Sequence, residues 1–163
     1  MIAIKEVNLL FKSLSLRPAT DFLVVHHTGG RAGDDYSSAE LHAMHLGQGW
    51  SGIGYHLVIR KDGGVERGRP IWAKGAHSIP GNSNSIGIHL CGNFELETPT
   101  EAQIESLAML CCHLCSVYSL GPYEAIIGHR DQDATACPGQ ELYRLLPVIR
   151  GKAVWYMENE SEG

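Results

Sequence analysis

The sequence predicts a single α/β domain, with a central mixed β-sheet flanked by helices. Three observations predict it. Short, β-rich apolar runs alternate with longer stretches of helical spacing, the pattern of an α/β chain. Two runs are joined by Asp62-Gly63-Gly64, a tight-turn signal that adds an antiparallel pair to the sheet. Two predicted strands, 22–26 and 125–129, carry His at their carboxyl ends. In open α/β sheets ligands sit at that edge.

The elements follow in order. Residues 1–20 read as a lead-in arm ending at Arg17-Pro18, the domain spans 21–152, and 153–163 is an acidic, frayed tail. "DFLVVHH" (21–27) is a strand stopped by "TGG". "YSSAELHAMHLGQG" (36–49) has Ser caps, helical spacing and a Gly stop. "GYHLVIRKDGGVERGR" (54–69) is the hairpin, and "SIGIHLCGNF" (85–94) is a further strand. "TPTE" (98–101) reads as a capping box with Pro at the first helical position. The helix it opens carries Ile104, Leu107, Cys111, Leu114 and Tyr118 and runs to Leu120-Gly121-Pro122. "EAIIGH" (124–129) is the next strand, and a last helix starts near Cys137.

Composition narrows the function. The chain has 163 residues, 44% hydrophobic and 19% charged, so it can bury a core without staples. A net charge of -5 and no Lys/Arg run argue against a nucleic-acid partner. No apolar run is long enough to span a membrane. "MIAIKEVNLLFKSLSLRP" lacks a secretory apolar region and cleavage site, so synthesis in the cytoplasm is expected. Five Cys without a signal peptide do not make a disulfide framework. Cys112 and Cys115 form a CxxC inside a helical pattern with no second pair, and read as packed thiols. No heptad seam suggests assembly, so a monomer is expected.

The chemistry centres on "GHRDQDATACPG" (128–139). His129 and Cys137 are separated by seven residues, 130–136, enough chain to curl both onto one ion. Imidazole and thiolate are zinc ligands, and a catalytic zinc keeps three protein ligands and one open position. Cys137 precedes Pro138 at the expected helix start, where backbone amides favour a thiolate. A third ligand is available in "VVHH". Strand alternation forbids both His26 and His27 from reaching one metal, but parity alone does not choose between them. Of the nine His, His42 and His45 read as the edge of an amphipathic helix, and His89 and His113 as packed or solvated.

Five ordered blocks then carry a resemblance: "VVHHTGG", "GIGYHLVIRKDGGVERGRP", "GAHSIPGNSNSIGIHLCGNF", "PTEAQIESL" and "GHRDQDATACPG". Over about residues 20–150 the chain resembles the peptidoglycan-recognition-protein and phage-lysozyme-type zinc N-acetylmuramoyl-L-alanine amidases. Its organisation resembles that of single-domain phage endolysins. The resemblance implies a zinc site at the strand ends held by His26, His129 and Cys137. It implies cleavage of the amide between the muramic-acid lactyl group and L-alanine of peptidoglycan. The catalytic Tyr falls on Tyr55, and a second catalytic position falls on Thr135. The phage lysozyme has Lys at that second position, which puts the strength of oxyanion stabilisation in question. Family members that only recognise peptidoglycan typically lose the ligand Cys, which is kept here.

For substrate, the expected contacts are Trp50, His77, Asn82 and Asn84. Trp50 either lines a sugar or peptide groove or closes the turn after helix 36–49. The two Asn either contact substrate or simply form turns. Asp131 and Asp133 are candidates to hold the second imidazole nitrogens. Two further readings stand beside the amidase: a peptidoglycan-binding domain that does not cut, and a metal-free hydrolase using Cys137 with His129. Absence of a signal peptide fits an endolysin that reaches the wall after a holin opens the membrane, and equally a cytosolic wall-recycling amidase.

Overall fold

The computed structural model describes residues 2–160. Six strands form one mixed sheet: β1 (Ile4–Lys5), β2 (Phe22–His27), β3 (Leu57–Ile59), β4 (Val65–Arg67), β5 (Ser85–Leu90) and β6 (Ile126–Gly128). Their spatial order is β1-β4-β3-β5-β2-β6. Among the described strand pairs, the β3–β4 hairpin is antiparallel, and β1–β4, β3–β5, β5–β2 and β2–β6 are parallel. The fold class is the one expected. Among the described residues no helix is long and apolar enough to cross a membrane.

Strand parity divides the core. In β5, Ile86, Ile88 and Leu90 join Leu23 and Val25 of β2 in the main cluster. They pack against α2 (Glu101–Tyr118) and α5 (Leu146–Glu160), whose Leu107, Leu110, Cys111, Leu114 and Ile149 complete it. By alternation, Ser85, Gly87 and His89 of β5 and Val24 and His26 of β2 face the other side. There, Leu41 of α1 (Ser38–Gly47) packs with Ile53, Val58 and Cys91. So β5 is buried on both faces but apolar on only one. The thiols of Cys111, Cys112 and Cys115 are buried in α2, as read from the sequence.

Several boundaries differ from expectation, each for a local reason. The arm is part of the sheet: β1 pairs in parallel with β4, and the buried Arg17 guanidinium donates to the Ala73 carbonyl at 3.1 Å. The expected tail is helical to Glu160, because α5 runs through residue 152 and buries Ala153; positions 161–163 lie outside the described residues. The cap of α2 is Thr100, two residues later than expected, reciprocally bonded with Gln103. Gln103 also donates to the Cys91 carbonyl at 2.9 Å, which ties that register to the sheet. β6 is shorter than expected. Pro122–Ala125 form a helical turn (α3), and His129–Asp131 a 3-10 turn. The last helix does not begin at Cys137. α4 (Gln140–Tyr143) and α5 are separate, because Pro147 has no N–H to continue the helical bonds and sits in the first turn of α5.

Candidate metal centre and adjoining groove

β2 and β6 are neighbouring parallel strands, so their carboxyl ends share one edge. His26 lies near the end of β2, and His129 follows β6 directly. Cys137 returns to them on the loop before α4. One donor atom each from His26, His129 and Cys137 lie within 4.8 Å of one another. His26 Nδ1 is 3.6 Å from Cys137 Sγ. Tetrahedral zinc with its ordinary Zn–N and Zn–S bonds separates two such donors by about 3.6 Å, so this pair fits without rearrangement. Among the described residues, buried His129 Nε2 has no hydrogen-bond partner.

The parity question is resolved by contacts. His27 points to the opposite face, where its Nδ1 accepts from the Phe94 amide at 3.0 Å. His26 is 1% exposed, and burial, with His77 and His129 nearby, holds it neutral well below the ordinary imidazole range. Burial also lowers His129, opposed by Asp133. Burial pushes the Cys137 thiol up to about 12. The helix start offers it nothing, since α4 begins at Gln140; a single amide, that of His27, donates to its sulfur at 3.4 Å.

The Cys137 loop is held by Arg130. Its amide donates to the Cys137 carbonyl at 2.9 Å, and its guanidinium donates to Ala136 O at 2.7 Å and Gln140 Oε1 at 3.0 Å. The guanidinium lies over the Tyr143 ring, 4.4 Å from its centre. Gly139, with φ +89°, passes so close to the 94–95 backbone that a Cβ would meet Phe94 C at 2.5 Å. Asp131 takes part in this bracing. It accepts from the Gly128 amide and the Tyr143 hydroxyl and does not reach an imidazole. Asp133 is the carboxylate that faces His129, with Oδ2 3.8 Å from Nε2.

A cavity opens over the cluster, lined by His26, Tyr55, His129, Thr135 and Cys137. The Tyr55 ring lies between His26 and His89, 5.1 and 4.6 Å from their centres. Burial raises its pKa, so the phenol stays a proton donor. Its approach is fixed by α1: His42 Nδ1 accepts from the Ile53 amide and His45 Nδ1 from the Gly54 amide, at 3.0 and 2.9 Å. That, not metal binding, is what the His42/His45 pair does. Thr135 is exposed, and its Oγ1 accepts from the Cys137 amide at 3.2 Å, leaving its own O–H free to donate.

A second cavity adjoins the first, sharing Trp50, His77 and His129 and adding Ile79, Asn82 and Asp133. Trp50 is 41% exposed there, with its ring also packed on His45. Asn82 lies at the edge as a turn former, its Oδ1 accepting from the His77 and Ser78 amides. His77 is placed beneath the groove, not free in it: it is 8% exposed and both ring nitrogens are engaged. Asn84 is not brought to the site. Its side chain donates to Asp21, five residues before His26 on the neighbouring strand, roughly 16 Å along the sheet. Sequence reading missed Ile79, which is 89% exposed beside the groove. It also missed Gln132, which accepts from the Ser78 hydroxyl and joins the 76–82 loop to the 129–135 loop.

Fold and site define a class: a mixed-sheet α/β domain with two imidazoles and a thiol gathered at the sheet edge, open to a groove. The N-acetylmuramoyl-L-alanine amidase family (Amidase_2) matches residues 16–140. The chain is 31% identical to the endolysin of Escherichia phage T7, over 88% of this chain and 90% of that protein. It is 38% identical to the N-acetylmuramoyl-L-alanine amidase of Sus scrofa over 77% of this chain, which spans only 22% of that longer protein. Among solved structures, the amidase LysC from Clostridium intestinale superposes with a TM-score of 0.85 at 35% identity, covering 93% of this chain and 97% of that one. The chain belongs to the N-acetylmuramoyl-L-alanine amidase family.

Proposed function

We propose that the chain is a zinc-dependent amidase that hydrolyses the lactyl–L-alanine amide of peptidoglycan. The observation that carries this is the convergence of His26, His129 and Cys137 under one cavity that Tyr55 and Thr135 also line. When bound, zinc supplies a hydroxide near neutral pH and a Lewis acid for the scissile carbonyl. The chain's own residues do the rest. Tyr55, held protonated, donates to the oxyanion that develops on that carbonyl, or orients the attacking water. The free Thr135 O–H adds a second, weaker donor where the phage enzyme has Lys. Trp50 and Ile79, which line the adjoining cavity together, offer apolar contacts to the substrate. The donor cluster is complete within one chain, so the reading needs no second subunit. Peptidoglycan as substrate puts the activity at the cell wall.

Two observations bear on the alternatives. A metal-free thiol hydrolase needs an accessible thiolate, and burial raises the Cys137 thiol to about 12. A binding domain that does not cut is favoured by Thr135 and by the peptidoglycan-recognition proteins among the chain's relatives. Incubation of zinc-loaded protein with purified peptidoglycan separates the readings. The amidase releases stem peptides with a new L-alanine amino terminus, identifiable by mass spectrometry. Binding to the sacculus with no new amino terminus would establish the recognition domain instead.

A further inference from the structure

We propose that His77 is a positioning residue that fixes the tautomer of His26, and that Ser85 and the Gly81 carbonyl set His77 in turn. The inference rests on the reading of His26 as a metal ligand. It starts from an atom with no choice. The Gly81 carbonyl can only accept, and the Ser85 hydroxyl lies 2.5 Å from it, so the Ser85 hydrogen is committed there. Ser85 Oγ then presents a lone pair to His77 Nε2 at 3.3 Å, which calls for a hydrogen on Nε2. A neutral imidazole carries one N–H, so His77 Nδ1 is the acceptor. It lies 2.9 Å from His26 Nε2, which must carry the hydrogen. His26 Nδ1 is left bare, facing the Cys137 sulfur. Each link dictates the next, from a backbone carbonyl to the donor atom of the metal cluster.

The relay is built into the fold. His26, His77 and Ser85 are 1%, 8% and 0% exposed, so water does not compete for these bonds. The His77 ring lies against β5 at Gly87, where a Cβ would come within 2.5 Å of its Cγ. Glycine inside a buried strand is unfavourable unless something approaches the backbone closely, and here the approaching group is His77. With both nitrogens used, His77 has no donor or acceptor left for substrate.

The test uses His77→Leu, which removes the acceptor, and His77→Asn, whose amide oxygen stands near the place of Nδ1. Ser85→Ala cuts the relay two links away from the metal. Long-range proton–nitrogen NMR correlations report histidine tautomers in metal-free protein, and competition with a chromogenic chelator reports zinc affinity. The relay predicts the Nε2–H tautomer for His26 and His77 in the wild type. It predicts zinc bound about 10- to 100-fold more weakly by His77→Leu, with most of the loss restored by His77→Asn. Ser85→Ala shows mixed tautomers of His77. If His77→Leu fails to fold, Ser85→Ala alone decides. An Nδ1–H tautomer at His26 in the wild type, or unchanged zinc affinity in a folded His77→Leu, overturns the proposal. A wild type that binds no zinc yet shows the expected tautomers would instead overturn the metal reading and leave the relay intact.

Discussion

At the scale of single residues, the site depends on buried, neutral groups. Tyr55→Phe removes one donor to the oxyanion and leaves the metal ligands alone. The expected result is a fall in turnover of about 100- to 1000-fold with zinc content unchanged. Loss of zinc in that variant would mean that Tyr55 is structural. The histidines also set an acid limit to stability. Burial holds His56 down to about 3 and His45 to about 4, against 6.5 in the unfolded chain. Between those values the unfolded state binds more protons, so stability falls as pH drops from about 6.5, by at most about 1.4 kcal/mol per pH unit for each histidine. Urea midpoints measured from pH 7 to pH 4 check this, and a flat profile contradicts it. Much of this scale was legible. The segment 128–139 raises His129 and Cys137 as a candidate pair, and the family resemblance joins them to His26, as the clustering bears out. His77 does line the groove, but its bond to His26 was not legible, because nothing local in "GAHS" reveals a partner on another strand. The clue lay in β5, where Ser85, Gly87 and His89 alternate with Ile86, Ile88 and Leu90. A strand with a polar, glycine-containing buried face has something polar lying on it. Asn84 was misplaced because a turn-forming Asn looks alike at either end of a strand.

At the scale of elements, the Cys137 loop is the least regular part of the site and the most braced. Gly139→Ala introduces a side chain at positive φ against the Phe94 backbone. We expect a loss of at least about 1 kcal/mol in unfolding free energy, together with weaker zinc binding, since the same loop carries Cys137. Unchanged calorimetric stability would show that the loop has room to shift. The hairpin at Asp62-Gly63-Gly64 and the helical faces were readable because their chemistry is local. The start of α2 was not, since Thr98 and Thr100 both head plausible boxes and a long-range bond from Gln103 to Cys91 makes the choice.

At the scale of the whole molecule, the sheet order brings β2 and β6 together and turns both carboxyl ends to one groove. Alternating strands and helices predicted the class of fold, but not that the first residues belong to it. A strand of two residues has no periodicity to detect, and Arg17 is recognisable as an anchor only when its carbonyl partners are in place. Deletion of residues 1–17 should therefore lower the melting temperature of the whole domain, and an unchanged melting curve would restore the arm to a mere lead-in. Trp50→Ala, at the groove wall, should raise KM for peptidoglycan several-fold with kcat little changed.

The central claim is that the three-donor cluster holds a zinc required for amide hydrolysis. Chelator-stripped protein can be titrated with zinc while release of stem peptides from peptidoglycan is followed. The account predicts that hydrolysis rises linearly and breaks at about one zinc per chain, with neither uptake nor hydrolysis in Cys137→Ala. Hydrolysis that is already complete in the stripped protein, or that survives in Cys137→Ala, would contradict it.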